Sequence, residues 1–297
     1  MRSRALWNEI KALKVHNEWV FGVEEIRKTV VEYFKGNVAS LEWERPTLDG
    51  VDFASISNVD NISLVALFSL EEIELVVKES DGNKSPGPDG FNFAFFKQFW
   101  YLIKNEVRIF FDKFHGNEAF QRSLLSYFVT LIPKVKSPLS LKEFRPISLL
   151  GSLYKILAQV LAGRLSKLMN SVISKSQSAF VKGRHLVDGV LIVNEVVEVA
   201  RLRNQECLIL KVDFEKAYDS VEWSFLVYML RRVGFAEKWI AWMKACVCGG
   251  SMSILVNGRP TEEIDIKRGL KQEDPLAPFL FLLVAEGFSG LMKNAVN

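Results

Sequence analysis

The residues best placed to do chemistry fall in one stretch, CLILKVDFEKAYDSVEW, residues 207–223. An apolar run ends abruptly there on Asp213, a carboxylate at the end of what reads as a buried strand. Three chemistries suit such a position. Asp at a strand-to-helix junction often caps the helix that follows, accepting from its first N–H groups. It can also pair with Lys211 or Lys216. Or it can hold a metal ion in an open cleft, since Mg²⁺ is usually held by one or two carboxylates together with substrate phosphates. In two-metal phosphoryl transfer one ion activates the attacking oxygen and the other stabilises the leaving one. Asp213 supplies one ligand for such chemistry, whereas Asp219, six residues on, reads as a helix cap. Residue types and spacing leave these alternatives open. The three cysteines make no disulfide framework, and Cys246-Val-Cys248 lacks a second pair at zinc spacing, so they read as buried free thiols in a reducing compartment.

The elements that must position Asp213 are legible in part. Leu208 to Val212 reads as a strand, followed by a turn and helices over Val221–Val233 and Glu237–Cys246. SILVNGRPTEEIDIK reads as a hairpin, because Asn257-Gly258 lies between two alternating runs. RGLKQEDPLAP is a Gly/Pro-bounded turn, and an apolar helix starts near Pro278. Upstream, YFVTLIPKV is an apolar strand ending at Lys134, and FRPISL follows a polar connection. Apolar residues at 3 and 4 spacing from Leu153 to Val172 predict one amphipathic helix, and VLIVNEVVEVARL reads as a second helical stretch. Lys84-Ser-Pro-Gly-Pro-Asp-Gly90 must be a loop, and not a phosphate loop of the Walker kind: it has no GK[ST], and its prolines delete N–H donors. WNEIKALK and VEEIRKTVVEYF have helical spacing, so residues 1–80 read as helices with an extended connection.

Of the 297 residues, 49% are hydrophobic and 25% charged, an ordinary globular balance with length for two lobes. The net charge of +3 hides a segregation. Lys134 to Lys211 holds 13 Lys/Arg against 5 Asp/Glu, and Asp49 to Asp81 holds 8 Asp/Glu against one Lys. A basic middle third beside a buried carboxylate points to a polyanionic partner. The most apolar stretch, FLFLLVA, is far short of the roughly 20 residues of a membrane span. Met1-Arg-Ser-Arg lacks the apolar core of a signal peptide. The expectation is a nuclear or cytoplasmic protein, not secreted and with no membrane partner.

The ordered series SPGPDGF, LIPK, FRPISLL, YKILAQVLAGRL, QSAFVKGR, KVDFEKAYDSVEW, VNGRP and RGLKQEDPLAP resembles the reverse transcriptase of LINE-type (non-LTR) retrotransposons, especially those of plants. The resemblance runs from about Lys84 to the end. It implies an α+β fold, a right-hand polymerase with a linker region over 1–80, fingers over 81–206, a partial palm over 207–297 and no thumb. It implies an RNA-directed DNA polymerase that extends a DNA primer on an RNA template with dNTP and Mg²⁺, or Mn²⁺ in its place. By position, Asp213 would be the catalytic, metal-binding aspartate, with the main-chain carbonyl of Phe214 a further metal ligand. Tyr218 would be the steric gate against ribonucleotides, Lys134 and Arg145 would meet the incoming triphosphate, and Gln272 would pack by nucleotide and template. The plain alternative for Lys134 and Arg145 is a structural role, in a salt bridge for Arg145.

Two departures from the family pattern carry expectations of their own. Glu273 stands where the family's loop has a Gly, which adds a side chain and a negative charge near a polyphosphate. The family's aromatic-x-Asp-Asp hairpin does not occur before Asn297. The expectation is therefore a truncated polymerase domain that does not catalyse as this chain and associates with itself through an incomplete palm. The alternative is a nucleic-acid-binding remnant of a degenerate element.

Overall fold

The computed structural model of the chain describes residues 9–40, 47–119, 121–210, 212, 214 and 216–296. The first of the two sheets among these residues, a two-stranded one, is built from local turn chemistry. Strand β1 (Ala12–Val15) pairs antiparallel with β2 (Glu18–Phe21) across His16-Asn17, both at positive φ (46° and 73°). That is the two-residue turn whose twist matches paired strands. It overturns the helical spacing read in WNEIKALK over Ala12–Lys14. Helix α1 (Val23–Val38) follows as its apolar spacing predicts, burying Ile26, Val30, Val31 and Phe34.

Helices α2 (Asn58–Leu64), α3 (Leu70–Glu79) and α4 (Phe93–Asn117) come next, the first two capped by the hydroxyls of Ser57 and Ser69 and the third by the Asn92 side chain. A short helix α5 (Arg122–Leu125) precedes β3 (Tyr127–Pro133), whose alternating face buries Tyr127, Val129 and Leu131. Strand β4 (Phe144–Leu149) returns antiparallel to β3. Helix α6 (Ser152–Ser166) is apolar nearly all round and sits in the centre of the core, as such a helix must. The predicted continuous helix to Val172 breaks at Lys167-Leu168 into α6 and a single turn, α7 (Met169–Val172).

The buried Arg164 of α6 binds the Glu72 carboxylate through two nitrogens at 2.9 and 2.8 Å. It also donates to the carbonyls of Leu64 and Ala66. A buried guanidinium is tolerated only when so compensated. Helix α8 (Leu186–Leu202) then leads to residues 205–210, which are in no strand. The strand expected at Leu208–Val212 is overturned for its described residues. Leu208 is 95% exposed, and no described segment runs beside it to complete a backbone ladder.

Helices α9 (Trp223–Val233) and α10 (Glu237–Val247) precede β5 (Ser251–Val256), which pairs parallel with β3. The Asn257-Gly258 turn, at φ 50° and 81°, folds β6 (Arg259–Pro260) back on β5, as predicted. Strand β7 (Ile264–Asp265) also pairs with β5, and helix α11 (Ala277–Val296) completes an α+β chain. The strand order in the larger, five-stranded sheet is β4-β3-β5-β6, with β7 beside β5. One large core cluster runs from Ile10 to Leu283, so the lead-in packs into the same core as the rest. All three cysteines are free, but Cys207 is exposed where a buried thiol was expected.

Candidate functional site

The ends of β3 and β4 and the loops beside them enclose a cavity of about 310 Å³. Strand β3 stops at Pro133, which brings Lys134 to the rim; its N–H donates to the Glu143 carbonyl (2.8 Å) and its Nζ to the Lys142 carbonyl (3.0 Å). The Glu143 carboxylate accepts from the N–H groups of Leu139 and Ser140, and these bonds hold its pKa below the usual carboxylate value. One residue into β4, Arg145 lies opposite Ile132. Its guanidinium makes no hydrogen bond or ion pair with any described residue.

The facing wall is the turn at 216–220. The Tyr218 ring stands edge-on to Phe281 at 5.6 Å, and Phe214 stands edge-on to the same ring at 5.8 Å. The Tyr218 carbonyl accepts from Leu270 N–H (2.9 Å), and Gly269 N–H donates to Val221 (2.7 Å), so this turn is tied to the segment before Gln272. The Gln272 carbonyl in turn accepts from Ser148 N–H of β4 (3.1 Å). Lys134, Arg145, Phe214, Tyr218 and Gln272, separated by up to 138 positions in the chain, thus line one cavity. Asp213 lies outside the described residues.

Residues that the sequence reading left out of the site share the cavity. Asp219 is not a cap, since α9 begins at Trp223 with Glu222 at its N-cap. It lines both this cavity and a smaller neighbouring one of about 50 Å³. Burial pushes its pKa above the ordinary aspartate value, opposed by a hydrogen bond with Gln272 and by the charges of Lys216, Arg268 and Lys134. Tyr33, Phe34 and Asn37 of α1 form a third side. Only tertiary packing brings that helix here, and no local motif announces it. In all, four cations (Lys134, Lys142, Arg145, Lys216) and one carboxylate, Asp219, face the space among the described residues.

Behind the cavity the Gln272 loop is pinned by buried polar groups. Tyr154 donates to Asp274 Oδ2 at 2.5 Å, and Leu276 N–H donates to Asp274 Oδ1 at 2.9 Å. Lys271 Nζ donates to the Cys246 carbonyl (2.9 Å) and sits 4.4 Å from the Tyr154 ring centre. Burial lowers the Lys271 pKa and raises that of Asp274, while their mutual attraction opposes both shifts. Between these anchors Glu273 is exposed and adopts φ +74°.

Among the described residues no group of three His, Cys, Asp or Glu could hold a metal ion. Asp219 alone does not make a site for a divalent cation that takes about six oxygen ligands. No helix among the described residues is long and apolar enough to cross a membrane.

The family profile described as reverse transcriptase (RNA-dependent DNA polymerase) matches residues 132–297, more than half of the chain and all of the cavity except the side built by α1. The chain is 30% identical over 233 residues to the transposon TX1 uncharacterized 149 kDa protein of Xenopus laevis, covering 77% of this chain and 18% of that protein. It is 32% identical over 155 residues to the retrovirus-related Pol polyprotein from type-2 retrotransposable element R2DM of Drosophila melanogaster, covering 52% of this chain and 14% of that one. A shorter match, 43% over 49 residues, is to the uncharacterized mitochondrial protein AtMg01250 of Arabidopsis thaliana, covering 16% of this chain and 40% of that protein. The chain thus spans under a fifth of the length of the first two. Members of this family generally use divalent metal ions. With the match spanning β4, β5 and the loops that line the cavity, the chain belongs to the reverse transcriptase family and carries a reverse transcriptase domain of the non-LTR retrotransposon kind.

Proposed function

We propose that the cavity is the nucleotide site of an RNA-directed DNA polymerase, taking dNTP against an RNA template and a DNA primer. What supports this reading most is the lining: an Arg145 fork with no described partner and three lysines beside the aromatic rings of Phe214 and Tyr218. Guanidinium geometry suits phosphate oxygens, and an aromatic edge suits a sugar face. In this reading Lys134 and Arg145 hold the triphosphate, Tyr218 excludes a 2′-hydroxyl, and Gln272 packs by nucleotide and template. Asp213, with the Phe214 carbonyl, is the metal-binding residue for Mg²⁺ or Mn²⁺. The duplex is held mainly through phosphates, in fingers over 81–206 and palm over 207–297. The work belongs to the nucleus or cytoplasm, and copies of the chain associate.

Titration with dATP and Mg²⁺ tests the site. Arg145→Met should weaken binding about tenfold, the loss of one charge-assisted contact. Unchanged affinity removes Arg145 from the triphosphate site. Primer extension on an RNA template tests the reaction. Extension that is lost in Asp213→Ala supports the polymerase, whereas salt-dependent template–primer binding without extension reduces the role to nucleic-acid binding.

A further inference from the structure

The cation that faces the cavity from the 216–220 turn is not held by its own turn. Lys216 Nζ donates to Asn37 Oδ1 at 3.0 Å and lies 5.6 Å from the centre of the Tyr33 ring, both on the last turns of α1. The same end of α1 is also fixed by the segment that follows β7. Arg268 Nε donates to the Asn37 carbonyl (2.9 Å), and Lys267 N–H donates to the Val38 carbonyl (3.1 Å). Further along the helix, Lys35 pairs with Glu262 at 2.7 Å and Arg27 donates to the Pro260 carbonyl at 2.6 Å. An exposed lysine has a flexible four-carbon stem, and orienting it costs entropy that a fixed acceptor removes in advance.

We propose that Asn37 is a positioning residue of the nucleotide site: it holds Lys216 with its ammonium over the cavity as a phosphate ligand, which makes the lead-in helix α1 part of the site. Asn is the suitable residue type, because a neutral amide oxygen fixes the ammonium without cancelling its charge. Lys216 keeps two N–H donors for a phosphate while the third stays on Asn37. The inference rests on reading the cavity as a triphosphate site.

The test is a double-mutant cycle on dATP·Mg²⁺ affinity in the full chain. Lys216→Met should weaken binding about tenfold, the loss of one charge-assisted contact. Asn37→Ala should weaken it severalfold, and the double variant should be no weaker than Lys216→Met alone. Asn37→Asp keeps the size and the acceptor oxygen, so the fold is preserved, yet its charge competes with the phosphate. It should bind at least as weakly as Asn37→Ala. Additive losses overturn the inference, as does recovery of wild-type affinity in Asn37→Asp, because both mean that Asn37 only packs. If the wild-type chain binds dATP and Lys216→Met binds it equally well, this inference falls alone. If the wild-type chain does not bind dATP at any concentration, the triphosphate reading falls with it.

Discussion

Glu273 holds a backbone conformation that glycine adopts freely: φ is +74°, where a Cβ crowds the neighbouring carbonyl. The strain of a non-glycine residue there is about 1–2 kcal/mol, and a new glycine returns about 0.4–1 kcal/mol of it through unfolded-chain entropy. Glu273→Gly should therefore stabilise the chain by about 0.5–1 kcal/mol in urea unfolding, whereas Glu273→Ala should give no comparable gain; equal effects would place the strain elsewhere. The resemblance implies a glycine at this position, and the structure supplies the backbone consequence of Glu273 in its place. Asp219 makes a second case at this scale. Its folded pKa is raised above 3.8 by burial, so between 3.8 and that raised value the native state keeps a proton that the unfolded chain loses. Its contribution to stability is thus present below pH 3.8 and is lost as pH rises through the folded value. Carboxyl NMR should show a midpoint above 3.8, and Gln272→Ala should move it higher still, since the hydrogen bond with Gln272 favours the charged form. A lower midpoint in that variant would mean that Gln272 does not bond Asp219.

At the level of elements, the loop Lys84–Gly90 shows what sequence reading can and cannot reach. Its prolines and glycines announce a loop, but not its partner. Helix α6 has no capping side chain of its own at Gly151, and Asp89 reaches across to accept from Ser152 N–H at 2.5 Å. Gly87 lies so close that an added Cβ would meet the Leu150 carbonyl oxygen at 2.3 Å. Asp89→Ala should cost about 1–2 kcal/mol, the range for a lost helix cap, and Gly87→Ala should also destabilise by forcing the loop off Leu150; a thermal melt of each variant checks both. Features set by neighbouring residues were legible: the Asn257-Gly258 hairpin, β3 and helices α1, α9 and α10. Features set by distant packing were not. The apolar run at Leu208–Val212 has strand composition but no partner among the described residues, and Asp219 has cap spacing but faces the cavity. The His16-Asn17 turn escaped because the spacing around it suits a helix equally well. Among the site residues singled out in the sequence, five line one cavity, while Asn37 and Tyr33 had no signal beyond a helix of ordinary amphipathic pattern.

For the whole molecule, the unusual feature is apolar surface that the core does not use. Helix α8 has no buried residue on its described face, and Val190, Leu191, Ile192, Val196 and Leu202 are each 48–77% exposed. Leu208, Ile209 and Leu210 continue the exposed apolar run beyond it. Apolar helix surface of this extent is normally buried, and contiguous exposed apolar area marks an association surface. The proposed self-association, expected from the sequence at the palm, should therefore run through α8 and be driven by area, with little dependence on salt, in contrast to nucleic-acid binding, whose affinity falls steeply as counter-ions compete. Sedimentation velocity over a concentration series should show the wild-type chain associating, and Ile192→Glu with Val196→Glu should shift it to a monomer that still unfolds cooperatively, because neither side chain is buried in the chain itself. The same double variant should bind dATP·Mg²⁺ unchanged, since neither residue lines the cavity. A wild-type chain that stays monomeric across the series would remove α8 as a self-association surface.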